Sequence, residues 1–376
     1  MDSRERISRI LNKEKPDRVG YEDADIFADT VARWHSEGLP AFASTIGVAE
    51  NPWLNVNSLR HFGMDIYTMW ADISPKYDVV EYEIGEDWVV IRDELGSTKK
   101  RWTSKSAPPL YLEPIVQTPE DFREKVEPLL DSDDMRRVSS SHYPFRDRLE
   151  KAVRLFQKEF FVVVGIPGPF FYCTFLCGGL SPTLVMMMKN KQFMDYMLNS
   201  IAEFLTSVSE SYRDAGVDGL WLFDDLGTKD GLFFSPELFV ELLKRPYEKI
   251  CTPFRKKGLP NILHSDGYIE SIIPHLIETG FAALQPLQNG IGMDVKMLKE
   301  KYGDQITLMG GIDTRVLSSG DVDAIKNEVK SKISVAGNGG GYIATSDGPI
   351  PPTVSLKSYN VFVEALKQYG RYPIKT

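Results

Sequence analysis

The sequence predicts an α/β protein, a (β/α)8 TIM barrel that carries an N-terminal β-hairpin insertion. From about residue 160 onward, short β-branched or apolar segments alternate with longer amphipathic segments. Uninterrupted apolar segments of this length are typical of parallel strands that are covered on both faces. An open doubly wound sheet would show a glycine-rich phosphate loop after its first strand, and the sequence has none. We therefore expect residues 1–376 to form a single barrel domain.

Six segments in the second part of the chain have the composition of barrel strands. They cover residues 160–165, 218–223, 261–264, 281–285, 305–310 and 341–345. The amphipathic segments that separate the strands predict helices. These helices cover residues 193–215, 235–257, 269–279 and 321–335. A closed barrel needs two more strands, and residues 19–22 and 65–69 are the segments of the first half that can supply them.

Residues 77–102 show a different pattern. Apolar and polar residues alternate over residues 79–83 and again over residues 88–92, and a polar turn at residues 84–87 separates them. Two alternating segments around a short turn indicate an antiparallel hairpin. We interpret this hairpin as an insertion that decorates the barrel.

Charge and cysteine content restrict the class of protein. The formal net charge is −9 and the pI is near 5.3, without a basic stripe. Since nucleic-acid binding requires clustered lysine and arginine, a nucleic-acid partner is not expected. The three cysteines, Cys173, Cys177 and Cys251, are too few for a disulfide framework. With a charged N-terminus and no apolar run of membrane-spanning length, the chain is expected to be soluble and cytoplasmic, with no membrane contact.

Polar residues follow nearly every predicted strand, at the end where barrel enzymes carry their active sites. Among the five histidines, His264 alone directly ends a predicted strand. We expect His264 and Asp225, which follows the preceding strand, to act in catalysis. The other polar residues at these strand ends, expected to contact the substrate, are Asp224, Gln285, Gln288 and Asp313.

We expect His264, Asp266 and Asp347 to converge on one point. His264 and Asp266 lie two residues apart, so an extended backbone directs both side chains to the same face. Asp347 follows the last strand, which neighbours the first strand in a closed barrel. A histidine and two carboxylates can hold a divalent metal ion with open coordination positions. Alternatively, Asp266 orients His264 as a general acid or base.

Several short motifs follow one another along the chain. They are Arg4-Glu5-Arg6, Lys15-Pro16-Asp17-Arg18-Val19, Asp224-Asp225, His264-Ser265-Asp266-Gly267, Gly310-Gly311-Ile312-Asp313 and Asp347-Gly348-Pro349-Ile350-Pro351-Pro352-Thr353. In this order and spacing they resemble the uroporphyrinogen decarboxylase-like superfamily. The resemblance implies a (β/α)8 barrel, and it implies either a tetrapyrrole decarboxylase or a cobalamin-dependent methyltransferase.

The two branches differ in the residues around the barrel mouth. The decarboxylases carry an arginine-rich segment after the first strand, whereas residues 21–27 here are acidic and would repel a substrate with many carboxylates. Asp72 is similar in position to the decarboxylase aspartate that faces the pyrrole nitrogens, which implies a catalytic role for it. In several of the methyltransferases a histidine and two cysteines bind zinc. His264 matches that histidine, and Asp266 and Asp347 match the two cysteines.

The methyltransferase branch is the closer match. Two carboxylates in place of two thiolates make the site harder, which suits the activation of an oxygen or nitrogen atom rather than a thiol. The resemblance thus implies methyl transfer from a methoxylated aromatic, an alcohol or an amine, with a divalent metal ion, expected to be zinc. The acceptor would be the cobalamin of a separate corrinoid protein. The aromatic residues expected to stack against the donor are Phe170, Phe171 and Tyr172.

Two other functions stay open at this point. The first is a lyase that acts on a small carboxylated substrate, which the match at Asp72 favours. The second is a barrel that binds a ligand without catalysis, which the loss of both cysteines favours. A homodimer is compatible with either function.

Overall fold

The computed structural model describes residues 1–46, 53–105, 107–134, 137 and 146–375. Its centre is a sheet of eight parallel strands. The strands are β1 (Gly20–Tyr21), β2 (Ile66–Trp70), β3 (Phe161–Pro167), β4 (Gly219–Phe223), β5 (Asn261–His264), β6 (Ala283–Gln285), β7 (Thr307–Met309) and β8 (Tyr342–Ala344). Each strand pairs with the next in sequence, except that β1 pairs with β8. The sequence therefore predicted the barrel correctly.

The barrel closes between β1 and β2 through one residue. The backbone N–H of Asp65 donates to the carbonyl oxygen of Tyr21 over 2.8 Å. In return, the backbone N–H of Tyr21 donates to the Asp65 carboxylate over 2.9 Å. All eight predicted strands are confirmed, and their ends differ from the prediction by at most two residues, as at β3.

Helices surround the sheet. The α-helices are Ser3–Leu11, Ala28–Ser36, Val56–Phe62, Pro119–Asp121, Arg146–Phe156, Pro169–Cys177, Leu180–Lys189, Lys191–Asp214, Pro236–Leu242, Lys244–Lys256, Ile273–Thr279, Val295–Tyr302, Thr314–Ser318, Val322–Lys332 and Leu356–Tyr369. Ser235 caps the helix Pro236–Leu242 by accepting from the N–H of Leu238, and Pro236 follows at the first helical position. The predicted helix over residues 235–257 is two helices, which are separated at Leu243.

The predicted hairpin is part of a larger sheet. Two short strands, Thr98–Trp102 and Leu110–Glu113, extend the pair Val80–Ile84 and Trp88–Arg92 into four antiparallel strands. The strand Thr98–Trp102 was not predicted, because its three successive cationic residues break the alternation of apolar and polar residues. This sheet follows the carboxyl end of β2, so it lies on the side of the barrel that carries the site.

The core lies inside the barrel and between the sheet and its helices. Buried residues on the central strands are fully covered, among them Val162, Val163, Val164, Leu220 and Trp221, each 0% exposed. Within the described residues, no single helix has the length and apolar composition to cross a membrane. Only the bent pair Pro169–Cys177 and Leu180–Lys189, at 105° to each other, passes that test jointly.

Candidate active site at the barrel mouth

Asp225, His264 and Asp266 form a cluster at the carboxyl ends of β4 and β5. Each residue contributes one potential ligand atom, and these atoms lie within 4.8 Å of one another. Nε2 of His264 is 3.6 Å from Oδ1 of Asp225. The backbone N–H of Asp266 donates to the same oxygen over 3.0 Å. We call these three residues the trio.

The loop that carries Asp266 is held by its neighbours. Gly267 has φ +92°, and a Cβ atom there would lie 2.3 Å from the carbonyl carbon of Gly227. Only glycine fits this close approach and this backbone conformation. The N–H of Gly267 donates to Oε1 of Gln288 over 2.7 Å, and Oγ of Ser265 accepts from the N–H of Leu226 over 3.0 Å. Gln288, predicted to contact the substrate, is therefore used to hold this loop.

Gln285 orients His264. Oε1 of Gln285 lies 2.5 Å from Nδ1 of His264. Because a carbonyl oxygen can only accept, Nδ1 carries the proton, and Nε2 is the nitrogen that faces Asp225. The side-chain oxygen of Gln285 thus acts on the imidazole, and the substrate contact expected of Gln285 stays a prediction. The amide is 6% exposed.

The field around the trio is negative. Burial lowers the pKa of His264, but the carboxylates of Asp266 and Asp225 outweigh burial, so this pKa is raised. Burial raises the pKa of Asp266 to about 6, with His264 acting in the opposite direction and Asp225 and Asp347 in the same direction. The pKa values of His264 and Asp266 thus depend on each other and on the carboxylate of Asp225, which is common at functional sites.

Asp25 is a third acidic residue near the trio, and it was not among the site residues predicted from the sequence. It lies beyond the carboxyl end of β1, half-buried. Burial raises its pKa to about 7, and the next strongest influences on it come from His264 and Asp266. The strand β1 has only two residues, so no apolar run marked its end. The acidic composition of residues 21–27 was the available signal.

Asp347 lies near the trio and outside it. Its Oδ1 atom accepts from the backbone N–H of Thr314 over 2.9 Å and from the hydroxyl of Thr314 over 3.0 Å. Asp225, rather than Asp347, supplies the second carboxylate of the cluster within the described residues. The expected set of His264, Asp266 and Asp347 thus changes by one member.

The neighbouring Asp224 faces away from the site. Its carboxylate is 0% exposed and accepts from the N–H groups of Phe170 and Phe171 over 3.2 and 2.7 Å and from the hydroxyl of Tyr247 over 2.6 Å. These bonds satisfy the start of the helix Pro169–Cys177. Asp224 was expected to bind substrate, and the structure gives it this capping role instead.

Two of the three expected stacking residues are internal. Phe170 is 0% exposed and packs edge-on against Phe234, with ring centroids 5.3 Å apart. Tyr172 is also 0% exposed, and its hydroxyl donates to the carbonyl oxygen of Ile73 over 2.7 Å. Phe171 alone is partly exposed, and its ring lies 4.6 Å from that of Phe175. The helix after β3 turns its first apolar residues inward, which a sequence pattern does not reveal.

Asp72 and Asp313 are paired with cations. The carboxylate of Asp72 forms an ion pair with Lys76 and accepts from the N–H and hydroxyl of Ser74 over 3.1 and 2.9 Å. Asp313 pairs with Arg315 over 2.6 Å, and this hydrogen bond lowers its pKa. The roles expected for these two residues, in catalysis and in substrate contact, stay predictions.

A run of aromatic rings leads from β2 to the trio. The ring centroids of Trp70 and Phe223 are 4.6 Å apart, and those of Phe223 and His264 are 5.1 Å apart. Trp70 and Phe223 end their strands and are half-buried. Phe223, and not Phe170 or Tyr172, borders the trio, and Trp70 lies behind Phe223.

The trio fits a divalent cation. It offers one imidazole nitrogen and two carboxylates, which is a donor set that zinc and other divalent ions accept. Oδ1 of Asp266 is buried and has no hydrogen-bond partner within the described structure. A buried oxygen without a partner is costly unless a ligand satisfies it.

Comparison with known proteins identifies the family. The model of the family described as uroporphyrinogen decarboxylase (URO-D) matches residues 83–369, which is most of the chain. The chain belongs to the uroporphyrinogen decarboxylase family. Its superfamily was recognised correctly from the motifs.

Curated relatives of this URO-D family member are distant. A uroporphyrinogen decarboxylase from Pseudomonas fluorescens (strain Pf0-1) is 24% identical over 217 residues, covering 55% of this chain and 58% of that protein. One from Pseudomonas aeruginosa (strain LESB58) is 24% identical over 231 residues, covering 58% and 62%. The chain thus matches about three fifths of the length of these relatives.

A solved structure matches almost the whole chain. It is described as a methyltransferase from Methanosarcina mazei, is 18% identical, and superposes with a TM-score of 0.67 over 98% of this chain and 99% of that one. At this identity the likeness establishes the shared fold.

Proposed function

We propose that this URO-D family member is a corrinoid-dependent methyltransferase. It would move a methyl group between a small donor and the cobalamin of a separate corrinoid protein, with a divalent ion, expected to be zinc, at the trio. The observation that carries the proposal is the trio itself, a nitrogen and two carboxylates gathered at the mouth of the barrel. The full-length fold likeness to a methyltransferase supports it.

The residues of the trio have distinct tasks in this proposal. Asp225, Asp266 and Nε2 of His264 would hold the ion, while Gln285 accepts from Nδ1, so that the neutral imidazole directs the lone pair of Nε2 at it. A divalent ion held there would supply Lewis acidity to an oxygen or nitrogen atom of the donor. If no ion is bound, His264, protonated in the field of Asp225 and Asp266, can donate a proton to the leaving atom.

The surroundings are less suited to porphyrinogen decarboxylation. A substrate with many carboxylates would meet Glu22, Asp23 and Asp25, which are acidic and largely buried after β1. Asp72, the residue that the decarboxylase resemblance requires, is paired with Lys76. Both features favour methyl transfer over the lyase.

The test combines metal analysis with a methyl-transfer assay. Purified protein is analysed for zinc and other divalent ions, and it is assayed for methylation of cob(I)alamin by absorbance with three donor classes: methoxybenzenes, methanol and methylated amines. We expect about one equivalent of metal, lost in His264→Ala and retained in the control His275→Ala. His275 is a suitable control because it lies on an outer helix beside Glu278.

Each outcome bears on one of the candidate functions. The proposal is supported if any donor class methylates cob(I)alamin and if the rate of this methylation falls at least about 100-fold in Asp266→Asn. Absence of methylation with all three classes overturns it. Decarboxylation of uroporphyrinogen by the same preparation, lost in Asp72→Asn, would instead establish the lyase.

A further inference from the structure

A cavity lies at the amino ends of the barrel strands, on the side opposite the trio. Its volume is about 510 Å³, which is within the roughly 300–1,000 Å³ of known ligand cavities. Residues at or just before the starts of β3, β4, β5 and β6 form its floor, namely Phe161, Asp218, Pro260 and Ala282. We call it the lower cavity.

The N-terminal helix Ser3–Leu11 forms one wall of the lower cavity. Arg4, Ser8 and Leu11 lie on successive turns of this helix, so they share the face that lines the cavity. Asn12, which caps the end of the helix, lines the cavity beside them. One face of a single helix thus brings an arginine, a hydroxyl and an amide to the same space.

Arg255, in the last turn of the helix Lys244–Lys256, stands on the opposite wall. It lies against Gly280, where the backbone has φ +104° and a Cβ atom would be 3.2 Å from Cδ and 3.3 Å from Nη1 of Arg255. The missing side chain of Gly280 therefore leaves the space that this guanidinium occupies. Arg255 forms no hydrogen bond or ion pair with any residue that the structure describes.

The other polar groups of the lining also keep unused donors. Nε of Arg4 donates to Oδ1 of Asp218 over 2.7 Å, while the two terminal nitrogens of Arg4 have no partner among the described residues. The side chains of Ser8 and Asn12 form no hydrogen bond within that part of the chain either. Four side chains around one space can therefore donate to a ligand.

The lining carries a net positive charge, although the whole chain has a net charge of −9. Arg4 and Arg255 contribute two positive charges, and Asp218 is the one acid among the described residues of the lining. The carboxylate of Asp218 is already engaged, because it also accepts from Nε2 of Gln157 and from the N–H of Val162, each over 2.9 Å. An anion is thus attracted to the lower cavity.

We infer that the lower cavity binds an organic phosphate monoester, a small molecule that carries one phosphoryl group. The planar guanidinium groups of Arg4 and Arg255 match phosphoryl oxygens, and Ser8 and Asn12 add neutral donors. A bare phosphate ion would fill only a small part of the cavity. The apolar residues that can contact the organic part are Leu11, Phe161, Leu259, Pro260 and Ala282. This site is independent of the proposed methyl transfer and of a metal at the trio.

Isothermal titration of the EDTA-treated protein tests the inference, because without a metal ion the acidic trio cannot hold a phosphate. The probes are AMP, ribose phosphate and inorganic phosphate, with adenosine and ribose as the uncharged counterparts. We expect AMP or ribose phosphate to bind at least about tenfold more tightly than its counterpart and than inorganic phosphate, because hydrogen bonds to a charged group are worth at least that factor. The tighter of the two organic probes shows whether the ligand is a nucleotide or a sugar phosphate.

Arg255→Ala should lower the affinity at least about tenfold, and Arg255→Lys, which keeps the charge and loses the planar fork, should lower it by less. Lys256→Ala is the matched control, since Lys256 is an exposed cation next in sequence and outside the lining. It should keep the affinity of the wild-type protein. Thermal unfolding checks that the variants fold. The inference is overturned if neither organic phosphate binds, if the uncharged counterpart or inorganic phosphate binds as tightly, or if Arg255→Ala has no greater effect than Lys256→Ala.

Discussion

His264 donates from Nδ1 to Oε1 of Gln285 over 2.5 Å, which leaves Nε2 as the nitrogen that faces Asp225. A partner on the second ring nitrogen of a metal-binding histidine fixes its orientation and raises its basicity. Gln285 is therefore a positioning residue for the trio. The sequence predicted that Gln285 lies at the end of a strand. It could not show that the Gln285 side chain, on β6, reaches across to His264, the residue that pairs with it on β5.

Gln285→Ala is expected to weaken zinc binding by about 10- to 100-fold, since the imidazole loses its orienting acceptor. Gln285→Glu keeps an acceptor and should retain most of the affinity. The measurement is a competition titration with a chromogenic chelator. Gln157→Ala serves as the control, because Gln157 bonds to the carbonyl oxygen of Gly216, away from the trio. Equal dissociation constants for Gln285→Ala and the wild-type protein would contradict the assigned role.

Asp266 and Asp347 should differ in their effect on the metal. Asp266→Asn removes a charge from the trio and is expected to lower zinc affinity by more than about 100-fold. Asp347→Asn should lower it by less than about tenfold, because asparagine still accepts from the N–H of Thr314. The same titration checks both variants. A loss in Asp347→Asn as large as in Asp266→Asn would place Asp347 among the ligands.

The strands were predictable because burial on both faces of a barrel strand demands an unbroken apolar run. His264 was predictable for the same reason, because it is the last residue of the apolar strand β5. Asp224 and Asp225 could not be told apart, because adjacent residues differ only in the direction of their side chains. Asp25 was missed because β1 spans two residues and leaves no run to read. Packing of the helix after β3, which buries Phe170, is a tertiary property.

Glu22 should make the stability of the fold depend on pH. It is 2% exposed, and burial raises the pKa of its carboxyl from an ordinary value of 4.5 to about 8. Between these two values the folded chain binds a proton that the unfolded chain has released. The free energy of unfolding therefore falls as pH rises from 4.5 to 8, by at most about 1.4 kcal/mol per pH unit from this group.

Glu22→Gln keeps the shape of the side chain and removes its titratable carboxyl group. Urea denaturation followed by tryptophan fluorescence at pH 5, 6, 7 and 8 should show a shallower decline for this variant than for the wild-type protein. Glu37→Gln is the control, because Glu37 lies near the surface and its pKa is lowered rather than raised. A wild-type slope that is unchanged by Glu22→Gln would show that another group carries the dependence.

Asp65 joins the first strand to the N-terminal helix, and it explains the first motifs of the sequence. The residue is 0% exposed, and its carboxylate accepts from Arg6 over 2.8 Å and from Arg18 over 2.8 and 2.9 Å. It also accepts from the N–H of Tyr21, where the barrel closes. Arg6 and Arg18, which belong to the motifs that carried the family resemblance, thus have a structural role. Removing one partner from a buried ion pair leaves an uncompensated charge.

We expect Asp65→Asn to lower the free energy of unfolding by about 3–5 kcal/mol, because Arg18 loses its carboxylate while Arg6 keeps only Asp17. Urea denaturation at pH 7 measures the change. Asp230→Asn, which breaks an exposed pair, should alter the stability by no more than about 0.5 kcal/mol. A loss below about 1 kcal/mol in Asp65→Asn would mean that the backbone hydrogen bond from Asp65 to Tyr21, which the substitution leaves in place, suffices to close the barrel.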